Sequence, residues 1–387
     1  MKQNNMLLNV ATFVAIMLAA ALTQAAEEPH LDADSGEYVL NIPYFEFDTS
    51  EGKQAYEVIL KAPLNANPVF SVDFASLKTK PVGNLPVITG SNICLQTAHG
   101  SYLSCQAETK MDYAIDIARC INSNESGCIE EIEQAFSDET KECQAFNQAR
   151  IELCGVLGGD AYLPDLDPDN FIDPTTITTA NANPYFPLVH GNTWVYEAGE
   201  ETVTVTVTDQ TEIIQGIIAV VVSDVVSIDG ELVEDTDDWY AQDKDGNVWY
   251  MGELSKNFED GLLDDLEGSW RAGIESAQPG IIMYARPEEH IGETYRQEFL
   301  PGEAEDFARI LSVSASTSNE NFSCSDNCLQ TYENSPFEPV GFGDFTPEHK
   351  FYLPGVGKIR SFHVNPETGE LADGEDVEEL ISFTPGS

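Results

Sequence analysis

Residues 183–209, NPYFPLVHGNTWVYEAGEETVTVTVTD, open the largest continuous β pattern in the chain. Between residues 201 and 208, three valines alternate with four threonines, so the valines share one face of an extended segment and the threonines share the other. This alternation predicts a β-strand with one buried and one solvated face. Residues 198–199, Ala-Gly, precede the strand at the position where a hairpin turn is expected. We expect the β-rich domain that starts here to extend over residues 183–387.

The rest of this domain contains further short strand patterns separated by turn residues, without the helix–strand alternation of a parallel sheet. Residues 217–228, IIAVVVSDVVSI, are apolar on both faces and predict a central strand. We predict an α+β fold that is mainly β, in which an antiparallel meander closes into a barrel or curves strongly to remove its edges. The other expected strands cover residues 231–242, 247–253, 281–286, 294–300, 308–316, 328–333, 348–352 and 357–364.

Six cysteines in residues 91–160 are placed symmetrically about Asn124, which lies in a stretch of turn residues. Their separations of 11 and 15 residues return to one side of a helix within about 20° and 60°, whereas on a strand they would alternate faces. We therefore predict two antiparallel helices, at 91–122 and 127–157, joined by nested disulfides. The expected pairs are Cys94–Cys154, Cys105–Cys143 and Cys120–Cys128, with a separate local bridge Cys324–Cys328. A zinc or redox role is the alternative, but this region has no CxxC and His99 is its only nearby histidine.

The N-terminal part of the chain suggests export and a small separate module. Residues 1–25 have the basic start, apolar stretch and small-residue end of a signal peptide, with a membrane anchor as the alternative. Residues 30–90 predict a small β module with strands at 36–47, 54–61 and 69–77. Residues 161–182 predict an acidic, proline-rich linker. Eight cysteines after a signal peptide indicate disulfides and a secreted or periplasmic location.

The chain is strongly acidic, with 18 Lys and Arg against 67 Asp and Glu and a formal charge of −49. Such a chain repels nucleic acids and anionic membrane surfaces, so we expect neither partner, and no membrane insertion once the signal peptide is removed. The hydrophobic fraction of 42% favours a folded protein over general disorder. The composition leaves the oligomeric state open.

Acidic residues of the predicted linker have the early spacing of a calcium loop, with oxygen ligands at alternate positions. The candidate ligands are Asp165, Asp167, Asp169 and Asp173. The later positions of the loop lack the expected glycine and glutamate, so a solvated linker without a cofactor is the competing interpretation.

Several stretches resemble a family of exported bacterial proteins that has no assigned activity: residues 149–162, ARIELCGVLGGDAY; residues 183–197, NPYFPLVHGNTWVYE; residues 295–306, YRQEFLPGEAED; and residues 348–359, EHKFYLPGVGKI. The resemblance extends over about residues 145–365. The GNTWVY and PGVG segments are also similar to lipocalin-like and lipoprotein-carrier-like barrels. This resemblance implies a barrel but transfers no site residues.

No nucleophile elbow, zinc-protease helix or phosphate loop occurs in the sequence, so we expect a non-enzymatic protein. Basic residues are scarce, which makes Arg296, His349 and Arg271 the candidate polar contacts for a small apolar ligand inside a barrel. Strand alternation places Arg296 opposite in facing to Tyr295 and Phe299. Outward charges or core ion pairs are the alternative for these basic residues.

We expect either binding of that ligand or a role as a surface scaffold. The alternatives are an extracellular hydrolase with paired carboxylates and a calcium-stabilised adhesion or matrix component.

Overall fold

The computed structural model describes residues 92–123, 125–339, 346–365, 368–372 and 376–386, and five strands before residue 82. The predicted signal peptide, residues 1–25, and the predicted centre of the hairpin, Asn124, lie outside the described residues. The chain divides into two compact units, Met1–Thr89 and Gly90–Ser387. No helix in the described part of the chain has the length and hydrophobicity needed to cross a bilayer.

The first unit contains one antiparallel sheet whose order is β1-β2-β3-β4, with β5 also paired to β3. Its strands are β1 (His30–Leu31), β2 (Glu37–Thr49), β3 (Gly52–Pro63), β4 (Ser71–Val72) and β5 (Lys78–Pro81). The third expected strand, at 69–77, appears among the described residues as β4 alone, and β5 pairs with the other half of β3. The sequence of β5, KTKP, has no hydrophobic alternation and carries the lysines and proline that are common on sheet edges.

The second unit begins with the predicted helical hairpin, formed by α1 (Ile93–Ser123) and α2 (Cys128–Leu157). The three nested disulfides of the prediction are confirmed, with Cα–Cα distances of 5.7, 5.8 and 5.7 Å. Asn92 caps the first helix by accepting a hydrogen bond from the Leu95 amide at 2.9 Å. Gly127, at φ +92°, makes the turn into α2, a backbone conformation that few other residues adopt.

The β body of the second unit confirms the predicted antiparallel meander. Its strands are β6 (Thr193–Ala198), β7 (Glu201–Ile214), β8 (Ile217–Ile228), β9 (Glu231–Gln242), β10 (Val248–Leu254), β11 (Asn257–Glu259), β12 (Leu262–Asp265), β13 (Trp270–Arg271), β14 (Gln278–Met283), β15 (Thr294–Arg296), β16 (Glu298–Phe299), β17 (Phe307–Ser318), β18 (Ser323–Asn334), β19 (Glu348–Leu353), β20 (Gly357–His363) and β21 (Glu378–Thr384). The sequence did not predict β11, β12, β13 or β21. The bridge Cys324–Cys328 is confirmed within β18.

The strand order closes almost into a barrel: β15-β17-β18-β19-β20-β21-β6-β7-β8-β9-β10-β14-β16. The two ends of this order, β15 and β16, are successive pieces of one segment that is interrupted at Gln297. The first piece pairs with β17 and the second with β14, so residues 294–299 join the two sheet edges. Gly280 lies under this junction, where an added Cβ would meet the carbonyl oxygen of Arg296 at 2.4 Å. Closure therefore depends on the absence of a side chain at Gly280.

The barrel core follows the alternation seen in the sequence. Val203 and Val207 of β7 are buried, as expected for the inward face of that strand. β8 pairs with both β7 and β9, which confirms the central strand predicted from its two apolar faces. The largest fully buried side chains are Leu188, Ile214, Ile217, Met251, Met283, Ile310, Leu329, Ile359 and Leu380.

Candidate functional site

The barrel encloses a cavity of about 210 Å³, which we call the interior cavity. Its walls are mostly aromatic and aliphatic, but five charged side chains also face it. The lining residues used below are Phe186, Trp194, Tyr196, Asp224, Asp238, Tyr240, Glu333, Lys350, Tyr352 and Lys358. They come from strands β6, β8, β9, β18, β19 and β20 and from the segment before β6. Where one strand contributes two of them, they are two residues apart, as expected for side chains on one face of a strand.

Lys350 is the centre of the first group of charges in the interior cavity. Its ammonium lies 3.0 Å from a carboxylate oxygen of Glu333 and 3.1 Å from one of Glu348. Burial opposes the charge on Lys350, but the two carboxylates outweigh burial and hold the pKa of Lys350 well above its ordinary value. Glu333 also accepts hydrogen bonds from Tyr352 at 3.1 Å and Gln297 at 3.0 Å. The charge of this lysine is therefore paired with two protein carboxylates.

The second lysine of the cavity, Lys358, is also paired. Its ammonium donates to Glu378 at 2.9 Å and lies 4.6 Å from the centre of the Tyr196 ring. Both lysines keep about a quarter of their side-chain surface accessible, 25% for Lys350 and 24% for Lys358, because they line the cavity. The cavity therefore offers no unpaired positive charge to a ligand.

Two aspartates give the cavity an excess of negative charge. Asp224 on β8 pairs with Thr236 on β9, and Asp238 lies two residues farther along β9, so the two carboxyls are diagonal neighbours on one face. One oxygen of Asp224, Oδ1, is buried without a hydrogen-bond partner. Asp238 accepts a hydrogen bond of 2.6 Å from the Tyr250 hydroxyl. Only Asp224 thus has a buried oxygen left for a ligand.

Burial controls the protonation of these aspartates. Burial raises the pKa of Asp224 to about 7, and nearby Lys358 opposes the rise. Burial, with Glu253 and Asp224 adding repulsion, raises the pKa of Asp238 well above its ordinary value. Burial likewise raises the pKa of Glu253 to about 7. The acidic interior therefore gains and loses protons near neutral pH.

A second cavity, of about 360 Å³, lies between the open end of the helical hairpin and the outer face of the barrel; we call it the hairpin cavity. Its lining includes Tyr162, Trp249, Tyr284, Arg296 and Phe299. Among the three candidate basic residues, Arg296 lines this cavity and not the interior cavity, and its contact with a ligand stays a prediction. Arg296 and Phe299 were also expected on opposite faces, but the interruption at Gln297 brings the Phe299 ring within 3.8 Å of the guanidinium carbon.

The other two predicted basic residues lie on the outer face of the barrel. The His349 ring contacts Tyr332 and Phe362 on that face, and its Nδ1 lies 3.2 Å from the Gln330 amide. Partial burial lowers the pKa of His349. Arg271 donates to Glu212 at 3.2 Å and stacks over Trp239. Arg271 thus matches the alternative of an outward charge, and neither residue lines the interior cavity.

Two of the four aspartates of the calcium hypothesis serve as turn caps. Asp167 accepts a hydrogen bond from the Asp169 amide at 3.0 Å, and Asp173 accepts one from the Thr175 amide at 2.9 Å. Asp165 lies in the extended stretch before these turns. No group of three or more His, Cys, Asp or Glu side chains that could hold a metal occurs among the described residues. The calcium site stays a prediction, which a chelator-dependent shift in melting temperature would support.

Sequence reasoning missed the residues that give the interior cavity its charge. Asp224 is the single charged residue of IIAVVVSDVVSI, and an acid within such an apolar strand is a usable signal. Lys350 is adjacent to His349, and counting the strand alternation from the buried Tyr352 would have turned Lys350 inward.

Comparisons with known proteins add little to this geometry. No family model matches the sequence, and no curated protein matches it. Two solved structures are similar to about half of the chain: a protein of YmcC-like fold from Bacteroides fragilis, named as an exported protein, and a protein from Parabacteroides distasonis, named as a lipoprotein. The first shares 12% identity at a TM-score of 0.30 and covers 51% of this chain and 96% of its own. The second shares 12% identity at a TM-score of 0.28 and covers 52% of this chain and 99% of its own. Similarities this low carry no conclusion about this chain, and the resemblance to exported proteins and lipocalin-like barrels stays a prediction.

Proposed function

We propose that this chain is an exported, non-enzymatic binding protein whose interior cavity takes a small ligand with an apolar body and one positively charged amino group. The observation that carries the proposal is the buried Oδ1 of Asp224, which has no hydrogen-bond partner among the described residues and lies in an aromatic cavity. A buried acceptor without a donor is costly, and an ammonium group would satisfy it.

The walls of the cavity support the apolar part of the proposed ligand. Tyr240 stacks on Tyr250 at 4.9 Å and meets Phe186 edge-on at 4.9 Å, so flat rings form one side. Aromatic faces also attract cations, which suits an amine more than a neutral or anionic ligand. Since Lys350 and Lys358 are already paired, the ligand would supply the missing positive charge. We thus refine the expected apolar ligand to an amphipathic amine.

Export is part of the proposal and rests on two observations. The chain starts with a signal-peptide pattern, and all of its eight cysteines form disulfides. Disulfides persist in oxidising compartments, which is consistent with a secreted or periplasmic protein.

Isothermal titration calorimetry with phenethylamine tests the proposal, and 2-phenylethanol serves as the neutral counterpart of the amine. We expect phenethylamine to bind, 2-phenylethanol to bind much less, and Asp224→Asn to weaken amine binding by about tenfold or more. Asp235→Asn is the matched control, because Asp235 lies on the neighbouring β9 and pairs with Lys256 at 3.2 Å on the outer face. Equal binding by wild type and Asp224→Asn would refute the proposal.

The pH dependence of binding provides a second readout. The amine requires the ionised form of Asp224, whose pKa is about 7. Below that pH, protons compete with the amine, so the affinity should fall by roughly tenfold per pH unit. An affinity that stays constant between pH 8 and pH 5 would contradict a role for this carboxylate.

A second candidate function is hydrolysis by paired carboxylates. Asp224 and Asp238 are diagonal neighbours, a relation that corresponds to about 7–8 Å between strands and falls within the range used by glycosidases. Their raised pKa values also suit an acid and base pair. Release of 4-nitrophenol from 4-nitrophenyl glycosides by the wild type, with loss in both Asp224→Asn and Asp238→Asn, would favour this function over simple binding.

A further inference from the structure

The hairpin cavity contains a buried cation with unused hydrogen-bonding capacity. Arg296 is 7% exposed, and its Nη1 is buried without a hydrogen-bond partner. Its Nη2 has a weak contact, 4.0 Å, with the disulfide sulfur of Cys94. A guanidinium normally uses its five N–H groups on carboxylates, carbonyls or water, so a buried and unused N–H requires an explanation.

No carboxylate in the described part of the chain forms an ion pair with Arg296. The nearest candidate is Glu305, which lines a small cleft together with Arg296 and Arg150. Both Nε and Nη2 of Arg150 donate to Glu305 at 2.8 Å, and the Gly302 amide donates to it as well. Because Glu305 is already held by these groups, the charge of Arg296 remains available. Burial lowers the pKa of Arg296 to about 10, which leaves it charged at neutral pH.

Most other polar side chains that line the hairpin cavity are already used, whereas the Tyr295 hydroxyl is buried without a hydrogen-bond partner. The Tyr162 hydroxyl donates to the Pro279 carbonyl at 3.1 Å, and the Thr97 hydroxyl donates to the Ile93 carbonyl at 3.1 Å. Thr294 accepts a hydrogen bond from Arg309. Asp160 contributes a carboxylate at an exposed position. A ligand here thus finds one strong anion partner, Arg296, and a nearby acid that disfavours a multiply charged anion.

The walls around Arg296 are aromatic. The guanidinium lies over the Phe299 ring at 3.8 Å and near the Tyr162 ring at 5.7 Å, which holds its plane in place. Trp249, Ile281 and Tyr284 continue the wall. A volume of about 360 Å³ accommodates a molecule the size of a small aromatic or short-chain acid.

We propose that the hairpin cavity is a binding site for a small organic acid, with one carboxylate on the Arg296 guanidinium and an apolar body against the Phe299 and Tyr162 rings. The site is separate from the interior cavity and of opposite charge. Binding of this acid would depend on the disulfide-bonded hairpin, because α1 and the end of α2 form one wall of the hairpin cavity.

The test measures binding of benzoate and hexanoate to the full disulfide-bonded chain by calorimetry, with benzamide and sulfate as probes at matched ionic strength. We expect both acids to bind, and benzamide and sulfate to bind at least about tenfold more weakly. Arg296→Met should reduce benzoate affinity by about tenfold or more, while its melting temperature without ligand is unchanged or higher because a buried unpaired charge is removed.

Arg309→Met is the matched control, because Arg309 lies on the same sheet face and already donates to Thr294 at 3.1 Å. It should keep wild-type benzoate affinity. If Arg296→Met does not fold, Arg296→Lys replaces it and should also weaken binding, since lysine lacks the planar fork.

Three results would overturn the proposal: no binding of either acid, equal binding of benzamide or sulfate, or unchanged benzoate affinity in the Arg296 variant. Phenethylamine binding should be unaffected in Arg296→Met, so failure here is distinguishable from failure of the proposed interior site.

Discussion

The attachment of the helical hairpin to the barrel can be tested through one buried ion pair. Arg150 on α2 and Glu305 before β17 are 4% and 3% exposed, and Arg150 also lies 4.8 Å from the centre of the Phe337 ring. Removing one partner of such a pair leaves a buried charge without compensation, which costs about 3–5 kcal/mol. For Arg150→Met we expect the lower part of that range, because Arg296 remains close to Glu305 and methionine retains contact with Phe337.

The double variant Arg150→Met/Glu305→Leu should recover most of this loss, since it leaves neither charge buried alone. We expect it to lie within about 2 kcal/mol of the wild type, so the two changes should show a coupling energy of about 2 kcal/mol or more. The remaining cost includes the hydrogen bond that Glu305 accepts from the Gly302 amide.

Urea unfolding under non-reducing conditions, followed by circular dichroism, measures the free energies of this cycle. Lys141→Met on the same helix is the control, because Lys141 pairs with Asp138 at 2.6 Å on the surface, where such a pair contributes less than about 1 kcal/mol. If Arg150→Met costs no more than Lys141→Met, or if the single costs add without coupling, the buried pair does not hold the hairpin on the barrel.

Three further predictions concern the fold. Asp224 and Glu253 each have a pKa of about 7 in the folded protein, so they hold protons there at pH values at which the unfolded chain has lost them. The free energy of unfolding should therefore fall as pH rises from 5 to 8. A free energy that stays constant over this range in urea titrations would contradict the prediction. Gly280→Ala should destabilise the barrel by several degrees of melting temperature or prevent folding, whereas Gly155→Ala, with open space around it on α2, should be neutral or slightly stabilising. Opening the outermost hairpin disulfide, which spans 60 residues but closes a loop of only 22 while the middle bridge, which spans 38, is intact, should cost about 1 kcal/mol more than opening the innermost, which spans 8; equal or reversed costs in cysteine-to-serine pairs would exclude chain entropy as the cause.

The parts of the fold that were predictable are those with a repeating local signal. The valine–threonine alternation placed β7 and its inward face, and the helical spacing of the cysteines gave the hairpin and its pairing. Strand β21, ELISFT within residues 378–384, escaped prediction because it follows a long acidic stretch and its role depends on pairing with β6, more than 180 residues earlier in the chain. Such non-local pairing leaves little local trace in a sequence.

The candidate sites were less predictable than the fold. The rarity of basic residues made Arg296 a candidate. The face of the sheet on which its side chain lies depends on the strand interruption at Gln297, and no glycine, proline or other turn residue marks that interruption in the sequence. Whether a charge is paired depends on tertiary neighbours: Arg271 and Arg296 have the same chemistry, yet one meets Glu212 and the other meets aromatic rings. Asp224 could have been singled out as the one charge in an apolar strand, but nothing in the sequence distinguishes Asp238 from the other acids of a chain with 67 acidic residues.

The junction at residues 294–299 has a mechanical consequence. The barrel wall is joined there by only two paired positions on one side, Gln278–Phe299 and Pro279–Glu298, so the wall is thin along this line. Gln297 reaches inward to Glu333, while its neighbour Arg296 faces outward. One peptide bond therefore connects the outer surface to the inner charge network. We therefore expect that an interaction which restricts the motion of one of these two side chains also restricts the motion of the other.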